Sequence, residues 1–111
     1  MKKLLFSSML LAGLSMNAQA QEFPDDIKPL MSKYTCTACH KVDTRLVGPA
    51  YTEVAKRKYT DARIVELIAV PKPEHWPGYP PMAALKVPAE DALKIAGWIN
   101  SLAPKKKAKK A

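Results

Sequence analysis

Apolar positions along this chain recur at helical spacing, and no stretch alternates in the manner of a half-buried strand, so the pattern predicts an all-α fold. Asp25 or Asp26 is placed to cap a first helix running toward Tyr34, with Pro29 in the opening turn where its missing N–H is not needed. Gly48-Pro49 opens a short second helix through about Arg57, the fixed φ of Pro49 suiting a first helical position. Thr60 caps a third, in which Ile64, Leu67 and Ile68 share a face, and Pro71 and Pro73 stop it.

From Val70 to Val87 the pattern changes. Five of the ten prolines fall there, at 71, 73, 77, 80 and 81, and Pro88 follows at once. Such a segment makes no regular hydrogen-bond ladder, yet its prolines pre-set an extended path that loses little entropy on ordering. It reads as a rigid strap. A last helix then runs from Pro88 to about Leu102, with Glu90 and Asp91 in its first turn and Leu93, Ala96, Ile99 and Leu102 along one side.

The ends of the chain set its compartment and size. Residues 1–20 read as a secretory signal: Lys2 and Lys3, an apolar run from Leu4 to Leu14 broken only by Ser7 and Ser8, and a small-x-small site at Ala18-Gln19-Ala20. The run falls short of the roughly eighteen to twenty residues that a membrane span requires. The expectation is a soluble, exported protein, most simply periplasmic, cleaved after Ala20. Residues 21–103 would form one small domain, and 104–111 a disordered, lysine-rich tail. After cleavage 16 basic residues face 10 acidic ones, and five of the basic residues are tail lysines, so the body carries only +1. A body without a basic face gives no reason to expect nucleic acid as a partner.

Cys36-Thr37-Ala38-Cys39-His40 carries the chemistry. Two thiols about one turn apart suit thioether bonds to the two vinyl groups of a porphyrin edge, and the next residue, His40, falls under the iron as an axial ligand. The implied cofactor is one haem c, covalently bound through Cys36 and Cys39. Three other uses of the pair compete: a zinc site built from both thiolates with His40 and His75, a thioredoxin-like redox pair, and a plain disulfide. Zinc ligands usually come as two close pairs, the redox pair wants a strand-helix-strand setting, and so short a disulfide loop is strained.

With the pentad, the stretch Val42-Asp43-Thr44-Arg45-Leu46-Val47-Gly48-Pro49-Ala50-Tyr51, the segment Trp76 to Met82 and the closing Ala96-Gly97-Trp98-Ile99, the chain resembles the small bacterial class I cytochromes c of the single-haem type. The resemblance implies about four helices wrapped around the haem, with Met82 as sixth ligand. Elimination agrees, because beyond the signal Met31 is the only other methionine and lies on the helix approaching the attachment side. His75 is the rival ligand. The resemblance also gives the Pro49 carbonyl as acceptor from the free nitrogen of His40, and the Trp76 indole as donor to a haem propionate. Tyr51, Leu46 and Trp98 read as packing residues, Trp98 pressing near Leu30 or Met31 where the last helix crosses the first. Two departures stand out: Ala83-Ala84-Leu85 follow Met82 where many relatives carry an asparagine, and the Trp76 to Met82 interval is one residue longer than usual.

The function expected is electron carriage between periplasmic redox proteins, with no catalytic site and with the lysine tail steering toward acidic partners or an anionic membrane surface. A dedicated subunit of a larger dehydrogenase or reductase is an alternative, and a haem peroxidase or gas sensor with a labile Met82 is a third.

Overall fold

The computed structural model describes residues 21–104. The expected signal segment and the tail lysines lie outside them. Among the described residues the regular structure is entirely helical: α1 (Lys28–Lys33), α2 (Tyr51–Lys56), α3 (Asp61–Ala69) and α4 (Ala89–Ser101), with 3-10 turns at Cys36–Ala38 and Pro73–His75.

The α4 helix is the spine against which the other three pack. Its buried side chains are Ala92, Ile95, Ala96 and Ile99, and with Ile27, Met31, Tyr51, Ala55 and Ile64 they form the core. Of the expected stripe Ala96 and Ile99 are buried, but Leu93 is exposed, because the buried face turns toward Ala92 and Ile95 instead. Leu46 is a second correction, since it is 41% exposed rather than packed. Tyr51 and Trp98 do pack, edge to face at 5.4 Å, and Phe23 lies 5.3 Å from Trp98. Met31 is fully buried in this core.

Helix starts divide into those closed by side chains and those closed by backbone. Thr60 caps α3 as expected, its hydroxyl accepting from the Arg63 N–H at 3.1 Å. At α1 neither Asp25 nor Asp26 is the cap. The Pro24 carbonyl accepts from both Ile27 and Lys28, closing the turn with backbone and leaving the two carboxylates exposed. Pro29 does lie in the opening turn. The α2 helix begins at Tyr51, two residues later than Pro49, for a reason that belongs to the site. Glu90 and Asp91 occupy the first turn of α4, and Asp91 also accepts from the Tyr34 hydroxyl, joining the end of α1 to the start of α4.

The strap departs from a purely extended path. Its 3-10 turn leads into a turn over 76–79, where Pro77 and Gly78 (φ +88) occupy the central positions and the Tyr79 N–H reaches the Trp76 carbonyl. Gly78 is there because that φ is costly for any residue with a Cβ.

Candidate functional site

Between α3, the 36–54 segment and the strap lies a mostly apolar cavity of about 360 Å³. Its wall includes Cys36, Cys39, His40, Pro49, His75, Trp76 and Met82, so every site residue read from the sequence meets one space. Met31 is not part of that wall.

His40 is the most firmly built element. It is 9% exposed, and its Nδ1 lies 2.7 Å from the Pro49 carbonyl oxygen. A carbonyl only accepts, so Nδ1 carries the proton and donates. Burial pushes the imidazole below its ordinary pKa, with the Pro49 carbonyl opposing, and the neutral ring therefore keeps its lone pair on Nε2. That is the nitrogen a metal would use. The same bond explains the late start of α2: Pro49 turns its carbonyl toward His40 and cannot also serve as a first helical residue.

Two neighbours hold the imidazole plane. Tyr51 stacks on it with centroids 4.7 Å apart and planes 27° from parallel. On Gly48 a Cβ would stand 2.6 Å from His40 Cε1, closer than atoms can approach, so only glycine fits there. The Gly48 N–H donates to the Cys39 carbonyl and the Tyr51 N–H to that of Lys41, tying the loop back onto the pentad.

Both thiols are free and half-buried. Burial pushes the Cys36 thiol up, while the Tyr51 hydroxyl beside it pulls the other way; Tyr51 itself is raised well above its ordinary value, first by burial. The four residues of the competing zinc site share the cavity wall, but among the described residues no three of His, Cys, Asp and Glu come close enough together to hold a metal.

The opposite wall is looser. Met82 is 39% exposed. His75 pairs through Nδ1 with the Tyr59 hydroxyl at 2.9 Å, its ring stacked at 19° to the phenol, and Asn100 Nδ2 donates to the Tyr59 carbonyl. Arg57 lies 4.0 Å over the Trp76 ring. Arg45 lies 4.0 Å over Tyr79 and donates to the Gly78 carbonyl at 2.8 Å.

Two thiols, a histidine with a free Nε2 and a thioether on the walls of one apolar space are the donor set that a covalently attached haem requires. The residues present fit the group.

Comparison with known proteins agrees with this geometry. The chain is 33% identical over 106 residues to cytochrome c-551 of Stutzerimonas stutzeri, covering 92% of this chain and 99% of that protein. Cytochrome c-552 of Nitrosomonas europaea is 33% identical over 101 residues, 86% of this chain and 88% of its own. The chain belongs to the small class I cytochromes c of the c-551/c-552 type. Its fold matches the crystal structure of wild-type Nitrosomonas europaea cytochrome c552 with a TM-score of 0.61 and 31% identity, over 68% of this chain and 98% of that one. No protein-family model matches. A cytochrome c of this type is an electron carrier with one covalently bound haem c, not an enzyme.

Several contributors to this cytochrome's site were missed in the sequence. Tyr51 was read as packing and proves to be the platform for His40; Gly48 was read as a helix start and proves to be the clearance for the same ring. Both stand in the stretch that carried the resemblance. The Tyr59–His75 pair and the two arginines had no local signal, because their partners lie far along the chain.

Proposed function

We propose that this cytochrome carries electrons in the periplasm, with haem c joined to Cys36 and Cys39 and its iron held between His40 Nε2 and the Met82 sulfur. The observation that carries the reading is the 2.7 Å contact between His40 Nδ1 and the Pro49 carbonyl oxygen. Because a carbonyl only accepts, that contact fixes the tautomer and aims the basic Nε2 away from the backbone.

Bound haem c supplies the one-electron couple between ferric and ferrous iron. The chain's residues do the rest. Tyr51 and Gly48 hold the imidazole plane, Pro49 raises its basicity, and the apolar wall excludes water. Met82 offers a soft sulfur that favours the ferrous state and raises the potential. Trp76 stands on the same wall, where its indole N–H would donate to a propionate of the bound haem. Among the described residues no helix is long and apolar enough to cross a membrane. The Lys2-Lys3 start, the short apolar run and the Ala18-Gln19-Ala20 site support export by residues 1–20 with cleavage after Ala20. Its partners are periplasmic redox proteins, toward whose acidic surfaces the lysines of 105–110 steer it.

Absorption spectra of the oxidised and reduced holoprotein test the ligands. The ferric protein should show the weak long-wavelength band of methionine ligation; Met82→Ala should abolish it and His75→Ala retain it. Absence of the band from the wild-type ferric protein, with a spectrum altered by His75→Ala and not by Met82→Ala, would make His75 the sixth ligand. Pigment lost to acidified organic solvent would exclude attachment through the cysteines.

A further inference from the structure

The segment that brings Met82 into the cavity makes little use of its own backbone. Pro80 and Pro81 have no N–H, and among the described residues the N–H groups of Met82, Ala83 and Ala84 find no acceptor. On the far side the first anchor is the Leu85 N–H, bonded to the Ile68 carbonyl at 3.1 Å. On the near side the anchor is the 76–79 turn, and two arginines from elsewhere in the chain grip it. Arg45 comes from the loop after the pentad; it covers the Tyr79 ring at 4.0 Å and donates to the Gly78 carbonyl at 2.8 Å. Arg57, just past the end of α2, covers the Trp76 ring at 4.0 Å. The two rings meet edge to face, so cation, ring, ring and cation form one assembly.

Neither arginine has a competing carboxylate among the described residues; the ion pairs there are Lys56 with Glu53, Arg63 with Glu66 and Lys94 with Glu90. Met82 stands three residues from Tyr79. A turn held in place fixes where the sulfur hangs, and a released one lets it swing toward solvent.

We propose that Arg45 and Arg57 are positioning residues that latch the strap, setting how often the Met82 sulfur leaves the iron. The proposal rests on Met82 being the sixth ligand. It gives the two arginines a task separate from any contact with haem or partner: they keep the sixth position closed, in a chain whose Ala83-Ala84-Leu85 offers the sulfur no side-chain donor.

Imidazole binding to the ferric holoprotein reads the latch directly. An entering ligand needs the sulfur gone, so at saturating imidazole the rate levels off at the opening rate of the strap. Imidazole is chosen because it is neutral in mildly alkaline solution, and loss of a nearby cation leaves its approach unchanged. Arg45→Gln should raise the plateau rate about tenfold, as expected when a stacked cation and its hydrogen bond are lost from a locally opening segment, and Arg57→Gln, which loses the stacked cation alone, about threefold. Arg45→Lys, which keeps the charge but not the flat donor fork, should behave nearly like Arg45→Gln. Thr60→Ala, which removes a helix cap elsewhere, should lower the urea midpoint and leave the plateau alone.

Plateau rates equal to wild type in both glutamine variants would overturn the latch. So would a wild-type rate in Arg45→Lys, which would assign the effect to charge, or an equal acceleration in Thr60→Ala, which would make opening a global event. The long-wavelength band of the wild-type ferric protein separates the two levels of failure. Its absence would bring down the Met82 assignment and the latch with it, whereas its presence with unchanged plateau rates would bring down the latch alone.

Discussion

The two walls of the cavity are built on different plans. The His40 wall is made within a short stretch of sequence: pentad, loop and first turn of α2 close on one another through backbone bonds, and His40 is hydrogen-bonded, stacked and confined at once. The Met82 wall is reached by a proline-rich arm with few backbone bonds, held at its ends by contacts to distant residues. One wall is therefore rigid because it is over-determined, and the other because it is tethered. Such a molecule opens on one side only.

Replacing Gly48 attacks the rigid wall hardest. Gly48→Ala forces its methyl group into the imidazole, and overpacking of that kind costs about 1–3 kcal/mol. Thermal unfolding of the holoprotein should show the loss, accompanied by a shift of the Soret band as the ring tilts; an unchanged spectrum and midpoint would mean that the loop gives way easily. Amide exchange measures the contrast without mutation. The Gly48 N–H, bonded to Cys39, should exchange only by global unfolding, while the Leu85 N–H should open at least about tenfold more often. Equal protection would erase the distinction between the walls.

Smaller effects sharpen it. Tyr59→Phe removes the hydroxyl that holds His75 and should cost about 1 kcal/mol in urea unfolding. Its effect on the plateau rate for imidazole should be slight, since the latch grips the strap further along. The contact between Tyr34 and Asp91 lies away from both walls and provides a pH control. Asp91 holds the Tyr34 proton in place and raises its pKa above 10.0. The folded state binds that proton more tightly than the unfolded one, so the contribution is complete below about pH 10 and is lost as pH rises through the raised value. The stability gap between wild type and Tyr34→Phe should narrow in strong alkali, while Met82 ligation at neutral pH stays the same in both.

The same contrast marks what could be read from the sequence. The pentad, the Thr60 cap and the four helices were legible because each is decided within a few residues. The start of α2 was misplaced because Pro49 suits a first helical turn by its φ, while the bond of its carbonyl to His40 nine residues earlier came only from the resemblance and was not weighed against that start. In α4 the bulky residues drew the stripe to Leu93, although small alanines decide which face can be approached. Arg45 and Arg57 gave no sign of their partners, since cation-to-ring stacking depends on a turn folding back from the other side of the molecule.

The ties among Cys39, Lys41, Gly48 and Tyr51 also set an order of events: short loops close at small entropic cost and therefore soon, whereas bringing Arg45 to Gly78 requires 33 residues to be gathered first. A nascent chain can thus offer its thiols and imidazole on a finished surface while the methionine arm is still outside. The pigment has an open doorway at the moment it must be joined, and the door is hung last.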